Sequence, residues 1–255
     1  MNISLLQLDV QWMKPETNIA RAELLAEEAD GTDVLLLPEM WATGFTTRPD
    51  AAVHEASMQA LCWMRQTSKE RNCVVAGTLA VMDDGTATEA ESCPVWRNRF
   101  FFIKPCGETV CYDKRHLFVP GGEEKNFSAG EHRVVAEYKG VRFLLQTCFD
   151  LRFPESARNV LSDPYDVVLY AACWPKKRIA AWNALLRARA VENQALCIGV
   201  NRTGEGGQAV YCGMSGAYDA EGLCLASLGE APLVQTVAFN KEKQDALRMS
   251  FPVLV

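Results

Sequence analysis

The chain has 255 residues, 49% of them hydrophobic and 23% charged, which suits a full-sized soluble core and one domain (residues 1–255) better than two. Its formal net charge of -6, from 26 Lys and Arg against 32 Asp and Glu, argues against a nucleic-acid partner, whose contact face would be basic and clustered. No stretch approaches the ~18 apolar residues of a membrane span, and the amino terminus, MNISLLQLDVQW, has no positive region ahead of its apolar residues, so no membrane partner is expected and the expected location is the cytoplasm.

In chain order, β-rich apolar runs fall at Ile3–Leu8, Val34–Leu37, Val74–Val81 and Trp96–Ile103. They recur at Val141–Thr147, Asp166–Ala171, Leu196–Asn201, Ala217–Tyr218, Leu223–Ser227 and Leu233–Val237. Helical spacing covers Glu16–Ala29, with Ile19, Ala22, Leu25, Ala26 and Ala29 on one face, and Glu55–Arg71, with Met58, Leu61, Cys62 and Met64. Pro154–Leu161 opens with Pro and Glu, residues that suit a first helical turn. Ile179–Asn193 carries Ala184, Leu185, Ala188 and Val191 on one face. The polar segment 83–92 reads as a loop between strands, and NRTGEGGQ (201–208) as a glycine-rich loop without the Gly-Lys-Ser/Thr ending of a phosphate loop. The alternation of elements predicts a layered α/β fold of two similar βαβ-containing halves, the second from about Val134.

The ten cysteines form no C-x-x-C, and the three histidines lie far apart, so neither a metal site nor a disulfide framework is supported. Most of the cysteines read as small core residues. Three junctions between a strand and a charge stand out instead. DVLLLPEM ends in Glu39, a carboxylate at a strand's carboxyl end, where sites form in open α/β sheets. Lys114 follows a short strand in VCYDKRHLF. The strand GVRFLLQT delivers Cys148 into a turn before Pro154, where a nucleophile is exposed and the next N–H, that of Phe149, points toward a developing oxyanion. Nearby positive charge and a helix start are expected to lower the thiol pKa there. A thiol needs a base, and Glu39 supplies one, with Lys114 holding the anionic intermediate.

These stretches resemble the nitrilase superfamily, the carbon–nitrogen hydrolases, over nearly the whole chain. LLLPEMWATGF, YDKRHLF and TCFDLRFPE match the Glu, Lys and Cys motifs in order, and RARAVENQ (187–194) and NRTGEGG...YCGMSGAYDAEG (201–222) match further stretches. Within the family the likeness is greatest to the omega-amidases, through PEMWATGF, GGEEKNFSAG and CWPKKR. The resemblance implies a four-layer α-β-β-α sandwich, a homodimer or higher homo-oligomer, no metal or organic cofactor, and Glu39, Lys114 and Cys148 as catalytic triad. It implies a second glutamate at Glu123, with the adjacent Glu124 as the alternative. Phe149 stands where many relatives have Tyr, and Cys173 where they often have Asn.

The implied substrate is a small dicarboxylate monoamide, 2-oxoglutaramate or 2-oxosuccinamate. Its distal carboxylate needs a cation, for which Arg178 is a candidate; the other reading is a solvated arginine at a helix start. Trp174 and Phe45 are candidate pocket walls. Arg187, Arg189 and Glu192 read as ion pairs on one helix, and Asp150 and Arg152 as braces of the nucleophile turn. Two alternatives share the motifs. One keeps the triad on an N-carbamoyl amino acid, an aliphatic amide or a nitrile; the other is a non-catalytic scaffold.

Overall fold

The computed structural model describes residues 1–83, 95–207 and 209–254. The polar segment read as a loop at 83–92 falls outside them except for its first residue.

The first half runs β1 (Asn2–Gln7), α1 (Pro15–Glu28), β2 (Val34–Leu36), α2 (Ala51–Arg71), β3 (Val74–Asp83), β4 (Val95–Ile103) and β5 (Thr109–Asp113). The second runs β6 (Val135–Tyr138), β7 (Val141–Thr147), α3 (Pro154–Ala157), β8 (Val167–Ala172), α4 (Ile179–Asn193) and β9 (Leu196–Asn201). A hairpin of β10 (Thr203–Gly206) and β11 (Ala209–Cys212) follows, then β12 (Gly216–Tyr218), β13 (Cys224–Ser227), β14 (Leu233–Ala238) and α5 (Lys241–Ser250).

Two six-stranded sheets result, ordered β14-β1-β2-β3-β4-β5 and β13-β12-β9-β8-β7-β6. Each has three neighbouring parallel strands joined by helices, β1-β2-β3 and β7-β8-β9, flanked by antiparallel partners. The two βαβ halves expected from the sequence are therefore present, with β14 returning to pair antiparallel with β1.

Strand alternation explains the layers. In β4, Phe100 and Phe102 point into a core shared with the other sheet, where they meet Phe143, Leu145 and Leu169. Their neighbours Phe101 and Ile103 point the other way, into a core with Ala22, Ala26, Ala60 and Met64 of α1 and α2. Leu144 and Val168 likewise face Trp182, Leu186 and Ala190 of α4. The order is helix, sheet, sheet, helix.

Several boundaries differ from the sequence reading. The helix expected over Pro154–Leu161 ends at Ala157, because Asn159 is buried and spent on tertiary bonds to Tyr165 O (3.0 Å) and Asn193 O (3.1 Å). The segment read as a loop at 201–208 is chiefly strand over 201–207, its last residue lying outside the described ones: β9 runs to Asn201, and β10 pairs antiparallel with β11. α2 begins at Ala51, where the Asp50 side chain accepts from Val53 N at 3.0 Å.

Candidate active site

The carboxyl ends of the parallel strands converge on one open cavity of about 810 Å³. Glu39 lies three residues beyond β2, Cys148 directly after β7, Cys173 directly after β8, and Lys114 directly after β5. All four line the cavity, with Phe45, Phe118, Phe149, Trp174, Arg178 and Tyr211. All the residues expected from the sequence thus gather here except Glu123 and Glu124. Glu123 is fully buried just beneath the cavity, while Glu124 is exposed, so only the first reaches the charged cluster.

Lys114 Nζ donates to Glu39 Oε1 and to Glu123 Oε2, both at 2.8 Å, with all three side chains sealed from solvent. An ammonium has three N–H groups, so one is left for the cavity. Burial pulls the Lys114 pKa down, but the carboxylates of Glu123 and Glu39 outweigh it and hold the ammonium well above the ordinary lysine value. Glu39 Oε2 accepts the backbone N–H of Cys173 at 2.9 Å, and the Cys173 thiol donates to Glu39 O at 3.1 Å. Glu123 Oε2 also accepts from Phe118 N at 2.6 Å.

Cys148 adopts φ 43° and opens a 3-10 turn over Cys148–Arg152. A non-glycine residue in the left-handed region stores strain, and such strain clusters at functional sites. The turn is held by Asp150, whose Oδ2 accepts from Thr147 N (2.9 Å) and Tyr112 OH (2.7 Å). The first turn leaves the Phe149 N–H without an intrahelical carbonyl. Burial, then the neighbouring Glu39 carboxylate, push the Cys148 thiol well above its ordinary value, although Lys114 pulls it down. The expectation of a lowered thiol pKa is corrected: burial and an adjacent carboxylate outweigh the ammonium and the short turn.

Arg178 is half-buried and lies over the Phe118 ring at 5.1 Å. Arg48, Arg152 and Lys177 also line the cavity, and none of these four cations forms an ion pair among the described residues. Arg152, read from sequence as a brace, stacks over Trp174 at 5.0 Å instead. Trp174 is fixed by Asn201, which accepts from its N–H (2.7 Å) and donates to its carbonyl (3.0 Å). Phe45 lies 5.4 Å beneath the Lys114 ammonium. Away from the cavity, Arg189 pairs with Glu192 at 2.8 Å as expected, but Arg187 donates to Gly222 O.

The sequence reading missed Asn98. Its Nδ2 donates to Glu39 Oε1 (2.8 Å) and to Glu123 Oε1 (2.9 Å). A signal existed: alternation puts Asn98 on the face of Phe100 and Phe102, and a polar residue on a core face needs partners.

The carbon–nitrogen hydrolase family model matches residues 2–248, and the chain belongs to that family as an amide-hydrolysing enzyme. Among its relatives, "Omega-amidase YafV" of Yersinia enterocolitica is 36% identical over 99% of this chain and 94% of its own length. "2-oxoglutaramate amidase" of Bacillus subtilis (strain 168) is 32% identical over 98% of this chain and 95% of its own. Among solved structures, XC1258 from Xanthomonas campestris, a CN-hydrolase superfamily protein with an arsenic adduct in its active site, superposes with a TM-score of 0.86 at 32% identity, covering 99% of this chain and 95% of its own.

Proposed function

We propose that the protein is an omega-amidase, hydrolysing the terminal amide of a small dicarboxylate monoamide such as 2-oxoglutaramate or 2-oxosuccinamate, within one domain spanning 1–255. The observation that carries the chemistry is the ammonium of Lys114 held between Glu39 and Glu123 beside Cys148. The substrate class is supported by the omega-amidase and 2-oxoglutaramate amidase relatives. It is supported again by four cations around the cavity that form no ion pair among the described residues, of which Arg178 is half-buried and suited to a distal carboxylate.

In the reaction, Glu39 removes the thiol proton as Cys148 Sγ attacks the amide carbon. The two events are coupled, since the thiol rests well above its ordinary pKa. The free N–H of Lys114 and the Phe149 N–H receive the oxyanion; losing one such donor costs about 2.7–4 kcal/mol of barrier. Glu39 returns the proton to the leaving ammonia, and the acyl group stays on Cys148 as a thioester. Glu39 then deprotonates water, which releases the acid and restores the thiol. Trp174 and Phe45 wall the acyl chain. The protein works as a homodimer or higher homo-oligomer in the cytoplasm, which sedimentation and fractionation test.

The experiment is ammonia release from 2-oxoglutaramate, with glutamine, an N-carbamoyl amino acid and a simple aliphatic amide alongside, for the natural protein and Cys148→Ala. Fast turnover of the keto-amide, abolished by the substitution, is expected. Cys148-dependent turnover of another substrate would move the assignment to it. Absence of Cys148-dependent ammonia from every substrate would overturn the reading in favour of a scaffold.

A further inference from the structure

The buried charge of the site does not balance on its own. Glu39 and Glu123 are both fully buried, and Lys114 is the one cation bonded to either of them among the described residues. Among the described residues, six N–H bonds end on their four oxygens: two each from Lys114 and Asn98, one from Cys173 N and one from Phe118 N. Every one is a donor, so this bonding suits two ionised carboxylates. With both ionised, the cluster carries one net negative charge away from water, which neutral donors must hold.

Asn98 is the one neutral side chain that donates to both carboxylates among the described residues. It bonds the Oε1 of each, at 2.8 and 2.9 Å, while its own backbone carbonyl accepts the N–H of Lys114 at 3.0 Å. Its position is 1% exposed, between Phe100 and Phe102 of the core face and the glutamates. Its Oδ1 is buried with no hydrogen-bond partner among the described residues. The amide cannot turn over to satisfy that oxygen, since this would aim it at two carboxylates. An apolar residue of similar size would carry no such unpaired oxygen. What Asn98 supplies in return is the shared pair of N–H groups.

The geometry points to Asn98 as the positioning residue that keeps Glu39 and Glu123 ionised together, so that Glu39 is free to take the Cys148 proton near neutral pH. Asn98 does not line the cavity and acts only through the two glutamates. The other titratable or charged groups facing the pair are Lys114, Cys148, Cys173 and Tyr211, with Arg202 behind the last two. None of these is a neutral donor to both glutamates. Removing the shared N–H groups leaves one carboxylate to relieve the repulsion by taking up a proton. The base is then lost at higher pH than in the natural protein. The inference rests on Glu39 being the base for Cys148, and its test separates the two.

The test follows the alkylation of Cys148 by iodoacetamide from pH 5 to 9, resolved by mass spectrometry, with kcat and KM on the turned-over amide over the same range. Asn98→Leu and Asn98→Ser are compared with Glu39→Gln and the natural protein, all with thermal melting as a fold control. In Asn98→Leu the acid limb of both profiles should move up by about one pH unit, a roughly ten-fold loss at the foot of that limb that recovers toward its plateau, with KM little changed. Asn98→Ser, which can donate to only one carboxylate, should fall between, and it carries the test if the leucine variant does not fold. An unmoved acid limb in both variants, or a loss equal at every pH, would overturn the inference. If Glu39→Gln leaves the alkylation profile unchanged, the base assignment falls and the role of Asn98 with it. If Glu39→Gln changes the profile and the Asn98 variants do not, only Asn98 falls.

Discussion

Lys114 neutralises one of two buried carboxylates and, in the proposed reaction, offers its third N–H to the substrate oxygen. Its pKa is raised, so the stability from its pairing is complete below the ordinary value of 10.5 and is lost only as pH climbs through the still higher value in the fold. Across the working range the ammonium is therefore constant, and its removal exposes the carboxylates. Lys114→Met should cost about 3–5 kcal/mol of unfolding free energy at pH 8, as for any broken buried pair. The cost should be smaller at pH 5, where the glutamates can take up protons, and turnover should be lost at both. Urea unfolding of the variant at the two pH values measures this; an equal cost at both would mean that the carboxylates are not the liability. The gathering of Glu39, Lys114 and Cys148 was legible in the sequence because each follows an apolar run, which places its side chain at a strand end. Asn98 was not singled out, since it sits inside a strand whose flanking Arg97 and Arg99 make the segment look solvated. Arg48 and Lys177 escaped, and Arg152 was read only as a brace, for a different reason: they reach the cavity from turns and loops, whose paths no periodicity foretells.

At the scale of elements, the Cys148 turn and the Lys114 segment belong to different sheets, and one buried carboxylate ties them. Asp150 accepts from Thr147 N and Tyr112 OH through Oδ2, and from His116 N at 3.0 Å through Oδ1. The His116 ring, stacked on Phe153 with centroids 3.9 Å apart, contacts the same Oδ1 at 2.8 Å through Nδ1. The end of β7 and the end of β5 are thus held in register by side-chain bonds that no ladder supplies. Asp150→Ala should lower stability by about 3 kcal/mol, because several buried donors lose their acceptor at once. Hydrogen exchange should show protection falling together at 112–118 and 147–152. Loss confined to 147–152 would mean that the two segments are held independently. The sequence suggested a brace at this position but could not name its far end, because the partners lie more than thirty residues away. The same limit explains the elements misread. Pro154–Leu161 has a helix's opening residues but is cut short by the tertiary bonds of Asn159. The short strands β10 and β11 look like a glycine-rich loop until their pairing is seen. α5 gave no apolar stripe to find: Gln244 is its one buried residue, and its N-cap, Asn240, accepts from Lys243 N at 2.9 Å.

The whole molecule buries acids that ionise only at high pH. Burial raises the thiol of Cys73 to about 11 and pushes Cys148, Cys173 and Cys197 up as well. The phenols of Tyr112, Tyr165 and Tyr170 are held well above 10.0, again chiefly by burial. In each case the folded state keeps a proton that the unfolded chain releases, near pH 9 for the thiols and 10 for the phenols. Their contribution to stability is therefore complete below about pH 9 and declines as pH rises, since the folded form then binds more protons than the unfolded one. Tyr170 isolates the effect. It is fully buried between the second sheet and α4, and its hydroxyl has no hydrogen-bond partner among the described residues. Tyr170→Phe deletes that hydroxyl and leaves the ring in place. A buried hydroxyl without a partner costs about 1–3 kcal/mol, so the variant should be more stable than the natural protein at pH 7, by about 1 kcal/mol once ring settling is allowed for. The gain should widen above pH 10, where the natural protein must also keep the phenol protonated. Melting temperatures of the two proteins between pH 7 and 10.5 test both parts. A variant less stable at pH 7 would mean that the hydroxyl has a partner after all, and parallel alkaline slopes would mean that Tyr170 does not hold its proton against the unfolded chain.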